Sequence, residues 1–274
     1  MNTATLADAR FGVGTGDVTL PRVIRSEWTK LRSLRSTVWT LGIAVVLTIG
    51  MAVLLSVQAS RHWSVAEVHD GRADPVFQTL GSLLLVQVPI GVLGVLTMTG
   101  EYATGMIRAT FGLVPRRLPV LWAKIILFAG VIFTLTLASS ALAFFIGQGI
   151  LSGKGLSVGL GSPGAARAIL GAALYLTLIG LLGLGLGALL RHTAGAVTAL
   201  LGLVLALPFV MELLGQSFHH AERYTPTLTG EALASTSPTR VTDLLSPERA
   251  LVTIVCWVLV GLAAGTVATI RRDV

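Results

Sequence analysis

The chain has 274 residues, of which 53% are hydrophobic and only 12% are charged, and its mean hydropathy is +0.81. Soluble domains carry about 25% charged residues, so this composition excludes an ordinary soluble protein and indicates a membrane protein. In so apolar a chain, the net charge of +7 favours basic loops beside an anionic lipid leaflet over nucleic-acid binding.

The amino-terminal region divides into two predicted parts. Residues 1–19 are small, polar and glycine-rich, which predicts a flexible cytoplasmic tail. In 20–37, apolar residues recur at three- and four-residue steps from Leu20 to Leu34, with basic residues opposite them. This pattern predicts an amphipathic helix in the membrane interface, although a simple topological anchor is an alternative. The residues that we expect to act there are Arg22, Arg25, Glu27, Trp28, Lys30 and Arg32.

Six later segments have the length of about 20 apolar residues that a helix needs to cross a bilayer. They are 38–58, 79–99, 123–150, 168–190, 194–214 and 250–270. The predicted fold is therefore an all-α membrane protein with six transmembrane helices in one domain, 38–274. The run "GLLGLGLGALL" in span 4 places glycine around the whole helix, which predicts close packing within the chain rather than a dimerisation face.

The orientation follows from the distribution of lysine and arginine. If the amino terminus lies inside, 13 of the 20 basic residues fall in inside segments. The outside segments hold the other seven, which are Arg61, Arg72, Lys154, Arg167, Arg223, Arg240 and Arg249. This asymmetry predicts that both termini are cytoplasmic. No apolar stretch with a cleavage site precedes span 1, so we expect span 1 to be an uncleaved anchor.

The cytoplasmic segment 100–124 has the sequence "GEYATGMIRATFGLVPRRLPVLWAK". It is too polar to lie in lipid, and it holds too many residues that form regular structure to be a flexible linker. We expect Gly100 to end span 2 and Glu101 to stand at the cytoplasmic surface. Apolar residues at three- and four-residue steps from Tyr102 to Leu113 predict a short amphipathic helix, which "PRRLP" ends. A loop that only fixes topology would explain the arginines, but it would leave Glu101 and the apolar spacing unexplained.

Two stretches together carry a resemblance: "RSEWTKLRSLRSTVWTL", starting at Arg25, and "TGEYATGMIRATFGLVPRRLPVLWAK", ending at Lys124. The chain resembles a bacterial permease of the type-2 ATP-binding-cassette exporter class. The resemblance implies a plasma-membrane transport subunit that is not itself an enzyme. Two separate ATPase subunits would bind ATP and Mg, and a second copy or a sister permease would complete the assembly. The substrate would move outward, and the apolar spans favour an amphipathic or hydrophobic one.

The resemblance also implies roles for particular residues. The interfacial helix corresponds to about 21–36, and the coupling helix that contacts the ATPase corresponds to about 101–114. The implied contacts with the ATPase subunit are Glu101, Tyr102, Thr104, Met106, Arg108 and, in the short turn "RHTA", Arg191. In related exporters the segment before span 6 folds back into the outer leaflet. The outer loop 215–249 is polar here, so we expect such a piece only near Met211–Phe218.

Several functions lack their usual signatures in this sequence. A phosphate-binding G-x-x-x-x-G-K-[ST] loop is absent, as are the common hydrolase motifs. His219, His220 and Glu222 on the outer loop could suggest a metal site, but adjacent histidines point apart on a helix, so we predict no metal site. Two alternative functions remain. One is a membrane anchor or immunity protein that binds a partner without pumping. The other is an ion-coupled carrier, for which Glu212 in span 5 would be the ionisable residue inside the membrane.

Overall fold

The computed structural model describes residues 25, 26, 28, 29, 32, 35–103, 117–214, 219–236 and 244–271. Within these ranges every regular element is helical, and six helices are long and apolar enough to cross a membrane. The all-α fold with six candidate spans is therefore confirmed. Spans 1 to 6 are Arg35–His62, Leu83–Ala103, Leu121–Ser152, Ala165–Leu190, Thr193–Leu213 and Pro247–Arg271.

The spans alternate in direction. We call the end of the bundle where span 1 begins the N face and the opposite end the far face. The helix that contains span 3 begins at the N face and runs over Arg117–Ser152. Span 5 is interrupted, because the α-helices Thr193–Leu201 and Leu207–Leu213 are joined by a π-helical turn over Gly202–Ala206. The prediction that the N face is cytoplasmic stays a prediction.

Span 4 is the centre of the bundle. In its most apolar 18-residue window 89% of the residues are buried, against 22% in span 1, 17% in span 5 and 22% in span 6. The prediction for its glycine-rich run is confirmed, because the glycines meet neighbouring helices on different sides. Gly183 lies against the backbone of span 2, and Gly185 lies against the backbone of span 6 at Gly261. Small residues thus bring three backbones into direct contact.

The amino-terminal region is described only in part. Arg25, Ser26, Trp28, Thr29 and Arg32 are helical and exposed, with Trp28 46% exposed. These features are compatible with a helix in the membrane interface, where an indole ring is a common anchor. The predicted residues Arg22, Glu27 and Lys30, together with the tail 1–19, lie outside the described residues.

Two short helices cross the far face between spans 1 and 2. Val65–His69 begins with a capping box in which the Ser64 backbone N–H and hydroxyl donate to the Glu67 carboxylate at 2.7 and 2.8 Å. These hydrogen bonds lower the pKa of Glu67 below its ordinary value. The second helix, Pro75–Thr79, is capped by Asp74 and is bound to span 3, because Gln148 Nε2 donates to the Pro75 carbonyl at 3.0 Å. The far face is thus ordered by polar contacts.

Two further helices lie between spans 5 and 6: His219–Glu222 and Pro226–Ala234. We call the second one the inserted helix, because seven of its residues are buried although it lies in a polar segment. They are Pro226, Thr227, Thr229, Gly230, Ala232, Leu233 and Ala234.

Candidate functional site

The last turn of span 2 differs from the expectation for Gly100. The helix continues through Gly100 to Ala103, so Gly100 does not end it. Glu101 lies in the last turn of span 2 at the N face and is only 9% exposed, while its position at the cytoplasmic membrane surface stays a prediction. A glycine ends a helix when its backbone adopts the left-handed conformation, and Gly100 is not among the described glycines that have a positive φ angle.

The reason for the burial of Glu101 is an ion pair with Lys124. The Lys124 Nζ atom lies 2.9 Å from Glu101 Oε1, and Lys124 itself is 5% exposed. Because a carboxylate in the last turn of a helix is opposed by the helix dipole, a neighbouring cation stabilises it there. The pair joins the last turn of span 2 to the first residues of span 3, on the two sides of the connection 104–116. Opposite charges at these two span ends were the sequence signal for this pair.

Arg191 forms the turn between spans 4 and 5. It is the one non-glycine residue with a positive φ angle (56°) among the described residues, and its N–H donates to the Gly187 carbonyl at 3.0 Å. Its guanidinium donates to the Ala268 carbonyl of span 6 at 2.9 Å and lies 5.1 Å from the centre of the Tyr102 ring. Arg191 therefore connects the N-face ends of spans 2, 4 and 6 through a hydrogen bond and a cation–π contact.

These contacts form what we call the N-face cluster: Thr99, Glu101, Tyr102, Lys124, Arg191 and Thr193. Its last contact is a hydrogen bond of 3.0 Å from the Thr193 hydroxyl to the Thr99 hydroxyl. Three residues that the sequence predicts at a partner interface, Glu101, Tyr102 and Arg191, thus lie in one cluster. Thr104, Met106 and Arg108 lie outside the described residues. Whether any of the six contacts an ATPase stays a prediction.

We expected the chain to fold back into the membrane only near Met211–Phe218. In the structure it folds back later, at the inserted helix. The Trp257 indole N–H donates to the Tyr224 carbonyl at 2.9 Å, and the Thr227 hydroxyl donates to the Val204 carbonyl. Trp257 and Val204 lie near the middle of spans 6 and 5. The chain therefore returns to mid-depth at 224–227 and then rises to the far face along the inserted helix, whereas Leu213 remains 76% exposed.

Pro208 of span 5 explains why the Val204 carbonyl can accept a hydrogen bond from the inserted helix. In an α-helix the Val204 carbonyl would receive the N–H of residue 208, but Pro208 has none to donate. Thr227 supplies a donor instead. On span 4, the buried Tyr175 hydroxyl donates to Gln87 Oε1 of span 2. The Thr227 and Tyr175 hydroxyls are thus bonded within the protein, as a lipid environment requires of polar groups.

At the far face, the end of the inserted helix is held by what we call the far-face cluster: Asp74, Arg167, Ser235 and Thr236. Asp74 Oδ2 accepts from the Thr236 N–H at 2.7 Å, the Thr236 hydroxyl at 2.9 Å and the Ser235 hydroxyl at 3.2 Å. Arg167 of span 4 donates to the Ser235 carbonyl at 2.7 Å. A carboxylate and a guanidinium thus bind the same short stretch, and sequence reasoning missed both.

We predict that Asp74→Asn lowers the free energy of unfolding by about 2–4 kcal/mol, because an amide would turn N–H groups toward donors that now meet a carboxylate. The measurement is thermal unfolding of the purified chain in detergent. Asp70→Asn is the matched control, since Asp70 is exposed and lies 3.8 Å from Arg72 in a surface ion pair. Such pairs contribute about 0–1 kcal/mol. Equal losses in the two variants would contradict the assignment of Asp74.

Three further observations concern metal binding, the ionisable residues in the spans and the similarity of the chain to known proteins. Within the described ranges, no group of three or more His, Cys, Asp or Glu side chains is placed to hold a metal ion. Glu212 is not the only ionisable residue in a span, since Glu101 and Lys124 lie in span helices, and Glu212 itself is exposed at the far end of span 5. No model of a known protein family matches the chain, and no curated protein matches it either.

Proposed function

We propose that the chain is the membrane-spanning permease subunit of a bacterial ATP-binding-cassette exporter, driven by a separate ATPase subunit. The observation that carries the proposal is the return of the chain to mid-depth before span 6. The resemblance implies a fold-back at this position, and the inserted helix has that geometry at Pro226–Ala234. Six candidate spans support the same function.

The N-face cluster suits the transmission of movement from a partner. The connection 104–116 joins spans 2 and 3, and the Arg191 turn joins spans 4 and 5. Through Glu101, Lys124 and Arg191 the ends of spans 2, 3, 4 and 6 contact one another. A displacement of the connection by an ATPase would therefore act on several spans together. Two permease chains would then rock and open a path outward for an amphipathic or hydrophobic substrate.

A passive anchor accounts less well for the inserted helix. Polar groups at membrane depth are costly, and they are common where a substrate path or a moving element needs them. An anchor needs spans and a binding surface, but it does not need a polar hairpin among spans 4, 5 and 6. For an ion-coupled carrier, the exposed position of Glu212 at the far end of span 5 is unfavourable.

The test is purification of the tagged chain from its native membrane in mild detergent, with mass spectrometry of the proteins that accompany it. We expect an ATPase subunit with the native chain and at least about tenfold less of it with Arg108→Glu, because a lost charge-assisted contact costs about 1.5–3 kcal/mol. Arg61→Glu, at the opposite end of span 1, is the control and should keep the ATPase. If the native chain brings down no ATPase, the anchor function becomes the better explanation.

A further inference from the structure

We propose that the Glu101–Lys124 ion pair is a positioning element that makes spans 2 and 3 move as one body when the connection between them is displaced. The inference rests on the proposed function, and it gives Glu101 a role within the chain that acts through Lys124. It differs from the sequence prediction, in which the Glu101 carboxylate contacts the ATPase directly.

The first step of the argument is the position of the pair. Glu101 is three residues before the connection 104–116, and Lys124 lies within the first two turns of the described helix that follows it. The ion pair therefore joins the last turn of span 2 to the second turn of that helix, near both ends of the connection, across 2.9 Å. A load on the connection must pass through these ends before it reaches the membrane.

The second step is the burial of both charges. Glu101 is 9% exposed and Lys124 is 5% exposed, so solvent and salt screen their attraction little. A buried ion pair adds little net stability compared with a well-packed neutral pair, but removal of one partner leaves an uncompensated charge. The stability of the fold therefore does not require these two charges. Their attraction does fix the distance and orientation between the ends of spans 2 and 3.

The third step is the contact of the same helical turn with other spans. Tyr102, next to Glu101, lies under the Arg191 guanidinium, which also binds the Ala268 carbonyl. The Thr99 hydroxyl accepts from Thr193. If spans 2 and 3 move together, these contacts carry the movement to spans 4, 5 and 6. If the ion pair is absent, the N-face ends of spans 2 and 3 are no longer joined directly, and part of the displacement is absorbed between these ends.

The experiment uses the complex of the chain with its copurified ATPase subunit, and it measures ATP hydrolysis and the amount of bound ATPase. The variants are Glu101→Gln, Lys124→Met, the neutral pair Glu101→Gln/Lys124→Met and the charge exchange Glu101→Lys/Lys124→Glu. Asp70→Asn, at an exposed far-face acid, is the control. We expect the neutral pair to fold and to bind the ATPase within twofold of native, with at least about tenfold lower permease-dependent hydrolysis. The charge exchange should restore most of that hydrolysis.

Three outcomes would overturn the inference. Loss of bound ATPase from the folded neutral pair and from the charge exchange would assign Glu101 to the partner contact instead. Native hydrolysis in the neutral pair would show that the charges are not needed. A folded, ATPase-binding charge exchange without restored hydrolysis would exclude an action of Glu101 through Lys124. Failure of the proposed function is distinct, since the native chain would then bring down no ATPase at all.

A measurement that needs no partner tests the pair itself. We expect each single substitution to lower the unfolding temperature of the chain by about 10 °C, and the charge exchange to recover at least half of that loss. Additive effects of the two substitutions would contradict a direct interaction between the side chains. This thermal cycle also identifies any variant that loses hydrolysis because it does not fold.

Discussion

Gly94→Ala is expected to prevent spans 2 and 4 from packing, and it should have one of the largest effects of any single substitution in the chain. A Cβ atom on Gly94 would lie 1.9 Å from the Gly180 carbonyl oxygen and 3.0 Å from the Leu184 nitrogen. Both atoms belong to the backbone of span 4, so no side-chain rotation relieves the clash. We expect a loss of about 3 kcal/mol or more in the free energy of unfolding.

The measurement is thermal unfolding in detergent, together with the yield of monodisperse protein. Gly130→Ala and Gly149→Ala in span 3 are matched controls, because no atom outside their own helix surroundings lies within 4 Å of the added Cβ. Alanine has the higher helix propensity, so these controls should unfold at the native temperature or slightly above it. Identical unfolding of Gly94→Ala and Gly130→Ala would show that spans 2 and 4 are not in backbone contact.

The glycine contacts also explain why span 4 is central. A Cβ atom on Gly183 would lie 2.2 Å from the Gly91 carbonyl of span 2, and one on Gly265 of span 6 would lie 2.6 Å from the Gly185 carbonyl. In lipid no hydrophobic driving force brings helices together, so close contact of small residues is a main source of attraction. Spans 2 and 6 thus both pack on the backbone of span 4, so a movement of span 2 also displaces span 6.

The six spans were predictable because each contains about 20 apolar residues in sequence, a local property that tertiary contacts do not change. The predicted limits differ from the observed ones at the ends, where helices continue into polar residues. Span 2 was expected to end at 99, but the helix extends to Ala103. The decisive contact there comes from Lys124, 23 residues later, and a local pattern does not contain it.

The inserted helix was not predictable for a similar reason. The stretch "TPTLTGEALAS" has the threonine and proline content of a solvated loop, and hydropathy alone places it in water. Its burial depends on small residues and on distant acceptors. Thr227 bonds to a carbonyl 23 residues away, and the Thr229 hydroxyl bonds within the helix to the Pro226 carbonyl at 2.6 Å. Pro226 at the helix start and the small residues after it were the available sequence signals.

The second large effect is expected for Gly230→Ala, which should displace the inserted helix from the bundle. A Cβ atom on Gly230 would lie 2.5 Å from the Cε1 and Cζ atoms of the Tyr175 ring. Tyr175 is 1% exposed and its hydroxyl is bonded to Gln87, so the ring has no room to move away. The inserted helix has only nine residues, whereas span 4 has 26, so we expect the inserted helix to be the element that gives way.

The displacement can be measured by maleimide labelling of Ala232→Cys in a Cys256→Ser background, since Ala232 is 0% exposed and Cys256 is exposed. We expect the labelling rate to rise at least about tenfold with Gly230→Ala, because the opening equilibrium shifts by more than about 1.4 kcal/mol. Gly161→Ala, a far-face loop position with open space around it, should leave the rate unchanged. Tyr175→Leu added to Gly230→Ala should lower the rate again by making room.

If Gly230→Ala labels at the native rate, the inserted helix does not pack on Tyr175. If it labels fast while the six spans remain folded, the inserted helix can leave its position without unfolding of the bundle.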